Sequence, residues 1–439
     1  MHTLATKILA TALAAALSPM AFSANLSDIY HDALVYDAQY ASARAAYQAG
    51  TEKLPQARAG LLPNVSLTGN LNRNDVNSTL PGGDSRFTSN GLAASATQPL
   101  FRMQNWVQFE QAQLQMNVFE NQLKVAEQDL ILRTARTYFD VLQAQNNIAF
   151  IQSQKAAIAE QLASSKRNFE VGTATVTDTH EAQARYDLAT AQEIAAINDR
   201  EVKLRSLQRL IGKPPAALAV LAEQAAMKLP EPRSIDDWVS RAAENNLQAG
   251  IQRNLKLIAD QEVEKNRAGH YPTLDAVANY NISNNQNFGS IKVDTRTAVI
   301  GLQLAVPIFQ GGLVSSKVRE AVANQDKARF DLDNAQREAS LQASQAYLNV
   351  TNGEAQVKAL EQARTSTQAQ LDSTKLGLQV GVRTSLDVLN AQQQVLSAQR
   401  DLAAARYNFL LSGLNLKAAA GALNAADLAE IDGYLTAAQ

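Results

Sequence analysis

The sequence predicts a mainly α fold with a minority of β-strand, made of one unit written twice: a strand pair followed by a long helical hairpin. Three observations predict it: an internal repeat, long runs with helical spacing of apolar residues, and short stretches where apolar and polar residues alternate. The repeat is plainest where "VGTATVTDTHEAQARYD" begins at Val171 and "VGVRTSLDVLNAQQQVL" begins at Val380. Val171, Gly172, Asp178, Ala182 and Gln183 match Val380, Gly381, Asp387, Ala391 and Gln392 at a constant offset of 209. "AGLLPNVSLTGNLN" from Ala59 and "AGHYPTLDAVANYN" from Ala268 keep that offset, as do Tyr138 and Tyr347. Gln98-Pro99-Leu100-Phe101 meets Val306-Pro307-Ile308-Phe309 at 208, one residue shorter.

The first element is a leader. "MHTLATKILATALAAALSPMAFSA" places Lys7 before an apolar run from Ile8 to Leu17, then Ser18-Pro19 and small residues suited to cleavage after Ser23. This is the pattern of a secretory signal peptide over 1–23, too short to span a bilayer, and the mature chain is expected to begin near Ala24. With Cys 0, the chain has no disulfide framework and no lipid-modified N-terminal Cys.

The first structural repeat is expected over 24–211: a helix, a strand pair within 61–101 and a helical hairpin over 103–211. After Pro63, Val65, Leu67 and Leu71 alternate with Ser66, Thr68 and Asn70, and Leu92, Ala94 and Ala96 form a weaker return row. The polar stretch "RNDVNSTLPGGDSR" from Arg73 is read as the loop between them. From Met103 to Val171 there is no Gly or Pro, and Met116, Phe119, Leu123, Ala126 and Leu130 recur at spacings of three, four, three and four, a coiled-coil seam. A continuous helix of that length measures about 100 Å at ~1.5 Å per residue. The return helix is expected to start at Asp178.

A linking segment over 212–236 leads to the second repeat, 237–420, with a helix, a strand pair within 271–309 and a hairpin over 313–417; a terminal segment, 421–439, follows. Leu274, Ala276, Ala278 and Tyr280 form one alternating row and Ile300, Leu302, Leu304 and Val306 its return, around the polar loop "NNQNFGSIKVD" from Asn284. The helical run after Gly312 carries Ala328, Leu332, Ala335 and Ala339 and contains Gly353 and Gly377; its return helix is expected from Asp387. Strands of about ten to twelve residues suit tilted membrane strands. A small soluble sheet alternates equally well, and periodicity alone does not separate the two.

Composition narrows the function. The 439 residues, 46% hydrophobic, are ample for a core, while Lys+Arg 40 against Asp+Glu 42 provides no basic field for nucleic acid. No uninterrupted apolar stretch beyond the leader has the length of a membrane helix, so any insertion must use strands. There is no GxSxG, P-loop, GxGxxG or HExxH, and a Cys nucleophile is impossible; no enzyme activity, cofactor or metal is expected. His31, His180 and His270 lie far apart without ligand-like spacing, and His180 and Glu181 beside Asp178 suit a solvated helix start.

Two strand pairs per chain leave a four-stranded sheet with open edges, which cannot face lipid. Closure therefore demands other copies, and three copies give twelve strands around a lumen. "GHYPTLD", "VPIFQGG", "VGVRTSLDVLNAQ" and "ARYNFLLSGLNLKAAAGAL", together with the duplication, resemble the TolC family of outer-membrane channel-tunnels over essentially the whole mature chain. The resemblance implies a homotrimer in outer-membrane lipid, with a twelve-stranded β-barrel continued by a periplasmic α-helical barrel in a Gram-negative bacterium. It also implies an equatorial belt at 212–236 and 421–439, and an exit duct for efflux or type I secretion. Its partners would be a periplasmic adaptor (membrane fusion) protein and an inner-membrane pump of RND, ABC or MFS type. The competing class is a periplasmic helical adaptor or a surface coiled-coil structural protein, neither of which calls for an amphipathic strand pair beside each hairpin.

The resemblance also assigns sites. The turns Val171-Gly172 and Val380-Gly381 become hairpin tips that dock the adaptor or pump. Arg383 is expected to bond Thr177 and Asp178 as a gate latch, while Leu378 occupies the place of a Tyr that supplies a second latch in the family. Asp387 and Asn390, three apart on one helix face, correspond to a constriction of two acidic rings, one of which Asn390 removes. Against these stand plainer readings: Asp387 as capping partner of Thr384, Asp178 as a helix cap, and Arg383 as a solvated tip residue.

Overall fold

The computed structural model describes residues 23–77, 85–173, 175–223, 225, 227–287 and 291–436. The expected signal peptide lies outside the described residues apart from Ser23, as do the centres of both strand loops. The chain forms two compact units, one comprising Met1–Ala43, Lys124–Leu247 and Gln336–Gln439 and the other Arg44–Leu123 and Gln248–Ala335.

In chain order the elements are α1 (Leu26–Tyr36), α2 (Ala38–Thr51), α3 (Lys53–Ala59), β1 (Asn64–Val76), β2 (Ser85–Phe101), α4 (Met103–Glu170) and α5 (Val176–Ile211). The second half follows with β3 (Val220–Leu221), α6 (Ile235–Asn245), α7 (Leu247–Arg267), β4 (Thr273–Asn287) and β5 (Ile291–Ala305). It ends with α8 (Leu313–Gln379), α9 (Ser385–Ala419), α10 (Ala426–Asp432) and β6 (Leu435–Thr436).

The long helices follow from composition. α4 runs 68 residues without Gly or Pro, and α8 runs 67 residues straight through Gly353 and Gly377. Gly353 is a packing glycine: a Cβ there would stand 3.3 Å from the Phe409 ring, so its absence admits the aromatic side chain of α9. Helix starts are duplicated as faithfully as the tips. Asn25 caps α1 with Asp28, and Ser234 accepts from Asp237 in α6. Thr175 caps α5 with Asp178, and Thr384 caps α9 with Asp387, in reciprocal capping boxes. The return helices therefore begin at Val176 and Ser385, two residues before the aspartates from which they were expected to start, because the aspartate of a capping box occupies the third helical position.

The first unit has its core around Tyr138 and Phe139 of α4, packed on Leu26 and Ile29 of α1, Leu207 of α5 and Tyr407 of α9. The fully buried Tyr138 hydroxyl donates to the Ala219 carbonyl at 2.7 Å, and burial pushes its phenol pKa up. The same segment pairs in parallel with Ala24 at Leu218, and β3 pairs antiparallel with β6. The linking and terminal segments are thus stitched together by backbone hydrogen bonds. Asp37, between α1 and α2, accepts both Arg133 guanidinium nitrogens at 2.9 and 3.0 Å and the Tyr40 N–H at 2.7 Å. At the matching break between α6 and α7, Asn246 donates to the Ala419 carbonyl at 2.9 Å.

The second unit holds one antiparallel sheet in the order β1-β2-β4-β5. The strands are 13, 17, 15 and 15 residues long, exceeding the ten to twelve expected, and they run into the stretches read as loops. Backbone pairing continues wherever the ladder is satisfied; only the part of a strand in contact with hydrocarbon must be apolar. The two halves meet at β2 and β4, where Arg102, just past β2, holds Asp275 of β4 through two contacts at 2.9 and 2.6 Å.

Candidate functional site

Two surfaces are candidates for function: the sheet and the hairpin tips. Register sorts the sheet side chains into two faces. Val65 lies opposite Ala96, Leu67 opposite Ala94, and Leu92 opposite Ile282. Tyr280 lies opposite Ala298, Ala278 opposite Ile300, and Ala276 opposite Leu302. Apart from the Tyr280 hydroxyl this face is apolar throughout its middle, yet Val65 is 74% and Ile300 89% exposed. The other face presents Ser66, Thr68, Asn70 and Asn72 on β1, Asn279 and Asn281 on β4, and Thr295 and Thr297 on β5, with Ser66 and Ser95 hydrogen-bonded at 2.8 Å. A soluble sheet buries its aliphatic side; this one leaves it bare and turns its polar side the other way, as a barrel wall between lipid and a wet lumen does. Strands β1 and β5 each pair on one side only among the described residues.

A bulge tunes the end of β2. The register slips between Pro99 and Phe101, so that Phe101 falls opposite Leu274 on the aliphatic face. Without the slip, alternation would have put Phe101 on the polar face.

At the first tip, Thr173 N–H reaches back to the Asn168 carbonyl at 2.8 Å around Gly172 at φ 79. At the second, Val382 N–H reaches the Gly377 carbonyl at 2.9 Å around Gly381 at φ 77. Both are helix-ending turns that require a left-handed residue, which explains a Gly at each. They leave Val171, Val380 and Val382 exposed.

The structure brings Arg383, Asp387 and Asn390 together with Gln370 and Gln394 in one groove of about 300 Å³. Asp178 and Glu181 instead line a second groove, of about 320 Å³, with Thr384, Ser385 and Leu389. Among the described residues Arg383 forms no bond to Thr177 or Asp178 within the chain; the Asp178 carboxylate accepts the Thr175 N–H at 3.0 Å and the Thr175 hydroxyl at 2.9 Å. Asp387 likewise accepts the Thr384 N–H and hydroxyl, both at 2.9 Å, so its capping role is realised. Those bonds, the backbone one foremost, with Arg383 as a further cation, hold its carboxyl below the usual aspartate range. Leu378 is exposed near the end of α8.

Two features escaped sequence reasoning. Gln161 of α4 donates to the Ser385 hydroxyl at 3.0 Å, tying the first hairpin to the start of α9. Gly377 lies against the Arg383 stem, where a Cβ would stand 2.7 Å from Cγ, so this glycine lets the cation fold back over the helix end. Its place seven residues before the Thr-x-x-Asp cap was the only signal available in the sequence. Among the described residues no helix is long and apolar enough to cross a membrane, and no His, Asp and Glu cluster suits a metal ion.

A sheet with one bare aliphatic face, one amide-and-hydroxyl face and two free edges, continuous in sequence with very long helical hairpins, defines a channel-forming protein whose strands enter the membrane. A family model described as "Outer membrane efflux protein" matches residues 29–213 and 238–422, once per repeat, and the chain belongs to that family. It is 32% identical over 429 residues to outer membrane protein TolC of Vibrio cholerae serotype O1, covering 96% of each chain. It is 33% identical over 416 residues to the alkaline protease secretion protein AprF of Pseudomonas aeruginosa, covering 93% of this chain and 86% of that one. Among solved structures, the CmeC outer membrane channel of Campylobacter jejuni superposes with a TM-score of 0.79 at 17% identity, over 93% of this chain and 89% of the other. The chain is accordingly an outer-membrane exit duct of the efflux and type I secretion class, with a large periplasmic helical portion.

Proposed function

We propose that three copies close edge to edge, β5 of each pairing with β1 of the next, into a twelve-stranded barrel continued by a helical tunnel. The assembly passes cargo passively, fed by a periplasmic adaptor and an inner-membrane pump of RND, ABC or MFS type, and has no catalytic role. The observation that carries this reading is the aliphatic sheet face beside two unpaired edges: neither can persist alone in lipid, and closure resolves both. The purified protein should require detergent and have about three times the mass of one mature chain. A monodisperse monomer free of detergent and fully helical would remove the barrel.

The tips close the duct in this proposal. Because Asp178 and Arg383 line different grooves of one chain, the latch runs between protomers: Arg383 of one reaches Thr177 and Asp178 of its neighbour. Asp387 forms one acidic ring at the constriction, and Asn390 occupies the place of a second. The exposed Val171-Gly172 and Val380-Gly381 turns are the docking points for the adaptor or pump.

A further inference from the structure

Charge on the aliphatic face of the sheet is confined to one end. Following the register upward from the strand ends joined to the helices, this face carries Leu304, Leu302, Ile300 and Ala298 on β5, then Arg296 opposite Ile282. On β1 it carries Val65, Leu67 and Leu71, then Arg73 opposite Thr88. Farther out, Asp75 and Arg86 neutralise each other at 2.8 Å, and Asp294 stands two residues beyond Arg296. Arg73 and Arg296 are both exposed and have no hydrogen-bond or ion-pair partner among the described residues. At the opposite end the same face shows only uncharged side chains, including Phe101 and Leu274.

Height places these cations. Arg296 stands ten residues from the exposed Val306. At ~3.3 Å per residue and a strand tilt near 40°, that is about 25 Å along the membrane normal, the thickness of the apolar band of an outer-membrane barrel. Arg296 therefore leaves the hydrocarbon where the headgroups of the outer leaflet begin, and Arg73 follows directly on the aliphatic run of β1. An unpaired guanidinium there has an apolar stem packed in acyl chains and a fork suited to phosphate.

The placement is selective in a second way. The central strands carry Thr88, Asn90, Ile282 and Asn284 on this face at the corresponding levels, whereas both free guanidiniums stand on the edge strands β1 and β5. In the closed trimer those are the strands that flank each seam between protomers. The duplication does not explain the pair, since the partner of Arg73 at the 209 offset is Ile282 and that of Arg296 at 208 is Thr88.

We propose that Arg73 and Arg296 form a site, three per trimer, for the phosphate groups of a phosphorylated glycolipid of the outer leaflet, which bridges the protomer seam and steadies the barrel. The site rests on the trimeric closure proposed above. Wild-type and Arg73→Ser/Arg296→Ser trimers, delipidated in detergent, would be titrated with bisphosphorylated lipid A and with its dephosphorylated form while thermal dissociation of the trimer is followed. Only the phosphorylated lipid should raise the dissociation temperature of the wild type, and the double variant should need roughly thirtyfold more of it. Arg73→Lys/Arg296→Lys should recover most of the response, and it serves as the reference if the serine variant does not assemble. Equal effects of both lipids, or lysine and serine variants that respond as the wild type does, would overturn the site. A wild type that forms no trimer would instead overturn the closure on which the site depends.

Discussion

At the scale of single residues, the cap that Asp387 forms and the pore charge proposed for it separate experimentally. Its carboxylate closes the capping box with Thr384, and that bonding lowers its pKa from the ordinary aspartate value of about 3.9. The sign follows from the direction: a lowered pKa keeps the group ionised down through mild acid, and both cap and charge are lost only as pH falls through the depressed value. If three such carboxylates ring the lumen, the channel prefers cations at pH 7 and loses that preference as pH falls through the aspartate range. Reversal potentials in a salt gradient should show Asp387→Ala losing the preference. Thr384→Ala, which removes the hydroxyl of the cap and leaves the charge, should retain the preference at pH 7 but lose it at a higher pH than the wild type. Selectivity untouched by Asp387→Ala would leave the residue a cap alone. The sequence displayed this pair as Thr-x-x-Asp and the first tip as Thr175-x-x-Asp178, because a capping box is local and its spacing is its geometry. The fold-back of Arg383 over Gly377 was hidden, since a glycine that permits close approach looks the same in sequence as one that breaks a helix.

At the scale of elements, the breaks near the start of each repeat show what a repeat preserves. Asp37 ends α1, starts α2 through Tyr40 N–H and grips Arg133 of α4, whereas Asn246 at the equivalent break holds a carbonyl of α9. Position is kept and chemistry differs. The Arg133 hydrogen bonds hold the Asp37 carboxyl below the usual range, so its stabilising contribution is complete above about pH 4 and fades as pH falls through the lowered value. Asp37→Ala should destabilise the helical portion by about 2 kcal/mol at pH 7, because Arg133 would lose its bidentate partner in a half-buried place. The difference from wild type should shrink on acidification to pH 3 and below, read as the midpoint of thermal loss of helicity. A gap constant with pH would rule out the ionised pair as its source. Much of the element inventory was legible beforehand: the Gly- and Pro-free run gave α4, and alternation after Pro63 and Pro272 gave β1 and β4. The strand lengths, the bulge at Pro99 and the pairing of β3 with β6 were not, because ladders extend through polar residues and two-residue strands have no period to detect.

At the scale of the whole molecule, the question is what holds a passive duct shut. Each tip carries a fixed charge on an exposed turn: Asp178 at the start of α5, and Arg383 just past the Gly381 turn. Within one chain they line different grooves, and the Arg383 guanidinium forms no hydrogen bond or ion pair among the described residues while its charge acts on Asp387 beside it. In the proposed ring of three, the open side of each tip would meet the next protomer, bringing a guanidinium to the carboxylate of Asp178, which has accepting capacity beyond its two bonds to Thr175. Surface ion pairs contribute about 1 kcal/mol or less singly, but three related by symmetry act together on one opening. In the proposed gate Leu378 stands where the family resemblance implies a second, Tyr latch and offers no hydroxyl, so closure would depend more on the Arg383 link. Arg383→Ser should therefore raise the resting conductance of the trimer in planar bilayers, and Asp178→Ala should raise it too. The double variant should gain less than the sum of the two in free-energy terms, because both single changes remove one coupled contact. Asp178→Ala also weakens the α5 cap, so Thr175→Ala, which weakens the cap and spares the carboxylate, is the control and should conduct as the wild type does. If Arg383→Ser trimers of unchanged stability conduct at the wild-type level, the tip is held closed by helix packing and not by this charge pair.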